Sequence, residues 1–392
     1  MKKTQRIAIL FLLMINVSLF SAGISEDAAS LLTAGTPGTQ LYPLTGHRAL
    51  AVQFFDSERE IELLLADASG VQKSIRFPCE RGHFYFVPST REEPEFLVYQ
   101  AEDNALIWYA WKEDGLLVLR QWELEGHVLP RIKQEGILLI KDQAAFLSRI
   151  LEFVDMQQQT LLTLDAPQAN AYYDDVVFTG DGWVLLAREA ISNRYALQCV
   201  GPAGHLLWTL ALPDVEEVDG LFPDGTGGLW LAYSSSYTGP MILCHVNADG
   251  VMDHELHLSG EPRVKYLHCS QTLEQGNVIL YGTSVAHSKS IYHAFALTLN
   301  SAGEALSLDV RNYTERKDYG IEIRQSADGT VYVSSGTHEN AAPLLVPFSG
   351  LQAVTDHGLE VAHNGYESTG DAISGDSNGD ILSNVQNVHK DN

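Results

Sequence analysis

Residues 242–258 read ILCHVNADGVMDHELHL. An apolar run meets the turn signal Asn-Ala-Asp-Gly, and a second alternating run leaves it, which is the pattern of a β-hairpin. The same pattern recurs along the chain. Its turn ends at Gly250, and comparable turns end at Gly70, Gly115, Gly204, Gly303 and Gly350, with one near Gln157 that lacks a glycine. These seven positions lie 45, 42, 47, 46, 53 and 47 residues apart. A second series keeps step with the first: Gly136, Gly182, Gly228, Gly276, Gly329 and Gly379 each open a short apolar strand pattern such as GWVLLA or GLWLAY.

Two locked turn series divide each unit into strand A, a turn, strand B, a longer loop, strand C, the NADG-type turn and strand D. Four antiparallel strands in 40–50 residues is the period of a propeller blade. The apolar residues alternate with period two, so helical repeats of similar length are excluded. Each blade must cover both faces, and a closed ring satisfies all of them. The expected fold is therefore all-β, a seven-bladed β-propeller spanning 45–392, with eight blades as the alternative. The first unit shows no clear A strand, whereas DAISGDSNGDIL (371–382) is a surplus hairpin. Pairing of this C-terminal strand with the N-terminal blade is expected to close the ring.

The chain begins with a basic stretch, MKKTQR, an apolar run, IAILFLLMINVSLF, and the small residues Ser21 to Gly23. That is the layout of a secretion signal, 1–23, with an uncleaved anchor as the alternative. Residues 24–44 read as a flexible lead-in, and the mature chain is expected to be extracytoplasmic. With 45% hydrophobic and 19% charged residues over 392 positions, the chain has the makings of a packed globular protein. A net charge of −25 repels phosphate backbones and anionic headgroups, so nucleic acid and membrane surfaces are poor partners. Cys79, Cys199, Cys244 and Cys269 lie on different strands with no CxxC pair, and read better as buried small hydrophobes than as bridges.

One blade carries a family resemblance. RYALQCVGPAGHLLWTLALP (194–213) resembles the PQQ-like (pyrroloquinoline-quinone-type) β-propeller repeat at Ala196, Leu197, Gly204, Leu207 and Trp208. The resemblance implies a propeller in which such a Trp docks adjacent blades. It does not imply quinone chemistry, and no cofactor is expected. QSADGTVYV (325–333) looks like a sialidase-type Asp-box in Ser326, Asp328 and Gly329, although Tyr332 is the nearest aromatic to its missing Trp.

In a propeller, residues just before each A strand crowd one mouth of the central channel. Here they are His83, His127, Asp174, Asp175, Asp219, Lys265, Asp318 and Asp371. A ring dominated by carboxylates could hold a hard cation, or a cationic or polyhydroxyl ligand, or hydrolyse a glycosidic bond by paired acid–base action. Asp is also a common turn residue that satisfies nearby amides. YYDDV (172–176) is the densest cluster, and aromatic plus carboxylate suits a sugar or an amine. HELH (254–257) places two His three apart on a strand, facing opposite sides, so it is not a helical zinc motif and no metal is expected. P-loop and dinucleotide motifs are missing from the sequence. The expected function is a non-catalytic binding or scaffold module for protein or carbohydrate. A secreted glycoside hydrolase or lyase is the alternative.

Overall fold

The computed structural model describes residues 39–363, apart from single residues and short loop segments, the longest being 143–148, 165–170, 315–320 and 336–344. Seven antiparallel meanders follow one another. Blade 1 comprises β1 (Gln40–Leu44), β2 (Arg48–Phe55), β3 (Glu60–Asp67) and β4 (Gly70–Pro78). Blade 2 comprises β5 (Phe84–Val87), β6 (Glu95–Gln100), β7 (Ala105–Lys112) and β8 (Gly115–Glu123). Blade 3 comprises β9 (Val128–Ile132), β10 (Gly136–Asp142), β11 (Arg149–Asp155) and β12 (Thr160–Leu164). Blade 4 comprises β13 (Ala171–Phe178), β14 (Trp183–Glu189), β15 (Tyr195–Val200) and β16 (Leu206–Leu212). Blade 5 comprises β17 (Glu217–Pro223), β18 (Leu229–Ser234), β19 (Met241–Val246) and β20 (Met252–Gly260). Blade 6 comprises β21 (Arg263–Thr272), β22 (Val278–Ala286), β23 (Ile291–Leu299) and β24 (Ala305–Thr314), and blade 7 comprises β25 (Ile321–Gln325), β26 (Val331–Ser335) and β27 (Leu345–Pro347). The chain is a seven-bladed β-propeller.

The turn chemistry explains both glycine series. Between β19 and β20, Asn247 Oδ1 accepts the amides of Asp249 (3.0 Å) and Val251 (3.1 Å), while Gly250 takes φ +78°. Asn300 repeats this with Ala302 and Glu304, and Asp155 repeats it with Gln157 and Gln159. In the turn without a glycine, Gln158 itself adopts φ +69°. In the second series Gly276 and Gly329 are again left-handed, at φ +75° and +86°, but the three glycines before them have a different cause. A Cβ on Gly136, Gly182 or Gly228 would lie 2.2, 2.6 or 2.6 Å from the carbonyl oxygen of Val154, Val200 or Val246 on the neighbouring strand. These glycines let two backbones approach.

Apolar clusters lie between blades, one at each of seven seams. Phe222, Trp230, Leu243, Leu267, Phe295 and Leu297 pack between blades 5 and 6. Between blades 7 and 1 the seam is thin, formed by Leu41, Ala49, Ala51, Ala66, Tyr332 and Leu345. Its small side chains bury less apolar area, hence contribute less to closure than the other seams.

The premise of the expected closure, a first unit without an A strand, needs correction. Blade 1 has its own inner strand, β1, in the last five residues of the stretch read as lead-in, so the head of the chain lacks nothing. Pro43 in β1 hid it from a strand reading, but an inner strand has one open edge, where a missing N–H costs little. The turn at Gly350 also differs from its relatives. It is a 3₁₀ turn, Phe348–Gly350, and the chain beyond it leaves blade 7. β28 (Gln352–Ala353) pairs with β24 of blade 6, and β29 (Leu359–His363) pairs with β20 of blade 5. The tail thus runs backwards along two outer edges. Residues 371–382 and the expected leader 1–23 lie outside the described residues.

Candidate functional site

Side chains from all seven blades meet in a cavity of about 600 Å³ on the ring axis. Tyr42, Phe86 and Phe222 supply aromatic wall; Gln157, Ser270, Gln325 and Ser326 supply neutral polar groups. The charged lining is basic: Arg91, Lys133 and Arg324, with His268 beside them and no carboxylate among the lining residues. Each cation is held from behind. Arg91 pairs with buried Glu95 at 3.0 Å, Lys133 with buried Asp175 at 2.5 Å, and Arg324 with Glu322. Arg324 Nε has no hydrogen-bond partner among the described residues. Burial lowers His268 to a pKa of about 4, so its ring is neutral at pH 7, and its Nε2 lies 3.2 Å from Thr283 Oγ1. The cavity therefore offers oriented donors beside aromatic side chains, with little net charge.

These lining residues stand at the ends of the A strands, whereas the residues marked in the sequence stand at their starts. Asp174, Asp219 and Lys265 each occupy the extra position of a β-bulge in β13, β17 and β21. A bulge re-aims the side chain it carries. Asp174 pairs with Arg188 Nε at 3.1 Å and lines a separate groove with Arg131, Tyr195 and Glu217. Asp175 is buried against Lys133 and lies 3.9 Å from Arg131, both from blade 3. Asp219 crosses to blade 6, where its Oδ2 accepts the Leu267 amide at 2.7 Å. Burial raises Asp219 to a pKa of about 6, against the opposing effect of that hydrogen bond. His83 is half-buried, 3.9 Å from Glu80 and edge-on to Tyr99. His127, Asp318 and Asp371 lie outside the described residues, and of Lys265 only the backbone is described.

The other expectations resolve as follows. Tyr173 of YYDDV is buried and donates to Gln198 Oε1 at 3.1 Å. In the Asp-box-like turn, Ser326 Oγ donates to Asp328 Oδ1 at 2.6 Å, and Asp328 accepts the Thr330 amide at 3.0 Å. It is a hairpin lock. All four cysteines are free, and burial raises Cys79, Cys244 and Cys269 to about 12. His254 and His257 of HELH pair separately, with Asp253 and Glu255.

The docking role implied for Trp208 is visible. Its Nε1 donates to Ala248 O at 2.9 Å, and a Cβ on Gly250 would lie 2.4 Å from its ring. Blade 4 is thereby seated on the C–D turn of blade 5. Other residue types do the same work immediately after the bulge in strand D. Lys73 reaches Lys112 O, Arg120 reaches Gln158 O, and the His254 ring fills the space a Cβ on Gly303 would need.

No family model matches the chain, and no curated protein matches it. Solved structures do. The β-propeller domain of the Trilobed protease from Pyrococcus furiosus, described by its open velcro topology, superposes with TM-score 0.50 at 10% identity, over 81% of this chain and 96% of that one. Acylaminoacyl peptidase from Pyrococcus horikoshii gives TM-score 0.50 at 12% identity, over 81% of this chain and 53% of that one. This chain thus spans about half the length of that peptidase. At such identity the likeness shows the propeller fold alone.

Proposed function

We propose that the protein is an exported, non-catalytic propeller that binds carbohydrate in its axial cavity. The single observation that carries this reading is the cavity lining: Arg91, Lys133 and Arg324 oriented by carboxylates behind them, beside Tyr42, Phe86 and Phe222. Fixed donors beside aromatic side chains suit a polyhydroxyl ligand that carries at most one carboxylate. A polyanion fits less well, because each cation is already neutralised and the whole chain bears −25. The acidic loop of a protein is the competing ligand of similar chemistry.

Hydrolysis by axial carboxylates has little to support it. Asp175 and Asp219 sit on separate blades, bound to Lys133 and to the Leu267 amide, and a hydrolase needs its pair about 5–10 Å apart across one bond. Kinship with PQQ-like propellers is part of the same proposal, supported by the docking of Trp208. Export rests on the 1–23 leader pattern. A glycan array probed with the purified chain, followed by calorimetry on the best binders, tests the reading. Binding that weakens at least tenfold in Arg324→Gln or Lys133→Gln is expected. Absence of any carbohydrate binder, or affinity indifferent to both substitutions, overturns it.

A further inference from the structure

His245, Asp253 and His254 form a compact cluster away from the axial cavity, at the outer half of blade 5. One nitrogen of each ring and one oxygen of the carboxylate all lie within 4.8 Å of one another. His245 Nδ1 is 2.6 Å from Asp253 Oδ1, and His254 Nδ1 is 2.9 Å from the same oxygen.

The fold builds this convergence. His245 on β19 is directly opposite His254 on β20, so the two side chains share a face. Asp253 precedes His254 and would point to the other face of a regular strand. The bulge between His245 and Val246 leaves Asp253 as the extra residue, and its carboxylate comes round to the two imidazoles. Behind His245, the buried Asp224 accepts from Nε2 at 3.0 Å, and is itself held by the Thr226 hydroxyl at 2.7 Å. A carboxylate on the far nitrogen of a histidine is the usual outer support of a metal-ligating imidazole, fixing the tautomer that leaves Nδ1 free to ligate. Access comes from the other side, where the Asp253 and His254 side chains are 33% and 38% exposed.

We propose that His245, Asp253 and His254 bind a divalent transition-metal ion of the zinc type, with Asp224 as the supporting carboxylate. Two imidazoles and one carboxylate favour Zn²⁺, Co²⁺ or Ni²⁺ over Ca²⁺ or Mg²⁺, which want oxygen-rich shells. Three protein ligands leave a fourth position for water or an external donor. Because the His254 ring also packs under the Gly303 turn of blade 6, the ion would brace the seam between blades 5 and 6.

The test uses the untagged full chain, stripped with EDTA and titrated with Zn²⁺ alone by calorimetry, and with Co²⁺ by visible absorption. One equivalent bound, with a d–d band of tetrahedral intensity and a raised melting temperature, is expected. His254→Trp copies the docking residue of blade 4, so it should keep the blade seam while losing the ion. Asp253→Asn should lose it as well, Asp224→Asn should weaken it about 10- to 100-fold, and His257→Gln should bind like the parent. Lack of stoichiometric binding, or binding unchanged in a folded His254→Trp and in Asp253→Asn, overturns the proposal.

Discussion

The guanidinium carbon of Arg324 lies 3.8 Å from the ring centroid of Tyr42, placing a cation of blade 7 on an aromatic face of blade 1. This contact joins the two ends of the described ring, at the seam where Ala49, Ala51 and Ala66 supply little apolar bulk. A cation held over a buried ring contributes about 2 kcal/mol. Tyr42→Leu should therefore lower stability by roughly that amount, and a double-mutant cycle with Arg324→Met should show coupling of about 1–2 kcal/mol in urea melts.

Trp208 and Gly250 form the second pair worth breaking. Gly250→Ala places a Cβ 2.4 Å from the indole at φ +78°, so it carries both strain and a clash. A loss above about 2 kcal/mol is expected in the parent. With Trp208→Ala already in place the clash disappears, and the remaining cost should fall to about 1 kcal/mol from the left-handed backbone. Additive losses in the double mutant would contradict this docking.

His268 gives the fold an acid sensitivity. Its pKa is about 4 in the fold, lowered by burial from 6.5, so the unfolded chain binds the proton first as pH falls. Stability from this group is complete above pH 6.5 and declines between 6.5 and 4. His268→Gln should flatten that decline by about 2 kcal/mol, measured as unfolding free energy at pH 7 and pH 4.5.

Asp219 has the opposite sign. Its pKa of about 6 lies above its ordinary 3.8, so the fold retains a proton that the unfolded chain releases, and stability falls as pH rises through this window. Asp219→Asn keeps an acceptor for the Leu267 amide without the charge. It should gain about 1–2 kcal/mol at pH 7.5 and nothing at pH 3.5. A loss at pH 7.5 would show that the ionised carboxylate is the better tie.

The period of the ring was legible because Gly250 and Gly228 answer to backbone demands, a left-handed turn and a close carbonyl, that few other residues meet. Docking was legible in one blade only. Lys73, Arg120, Trp208 and His254 share a position after a bulge but span an ammonium, a guanidinium, an indole and an imidazole, so no single residue type links them. The residues marked in the sequence differ from those lining the cavity for a related reason. Bulges at Asp174 and Asp219 turn the strand starts toward neighbouring strands and blades, leaving the strand ends with Arg91, Lys133, His268 and Arg324 to line the cavity. The His245–His254 pair could have been found from its spacing across the NADG turn, since hairpin register follows turn length. HELH, set aside because the pleat separates its two histidines, contains His254 but not its partner His245.

The central claim is that packing between blades 7 and 1 closes the ring, with a tail that as far as His363 braces blades 6 and 5. Truncation after His363 tests it most directly, by thermal melting and small-angle scattering of the shortened chain. A melting temperature within about 3 °C of the full chain, and an unchanged radius of gyration, are the predicted results. An expanded particle or a collapse in stability would mean that residues 364–392 hold the ring together and that the seam does not suffice.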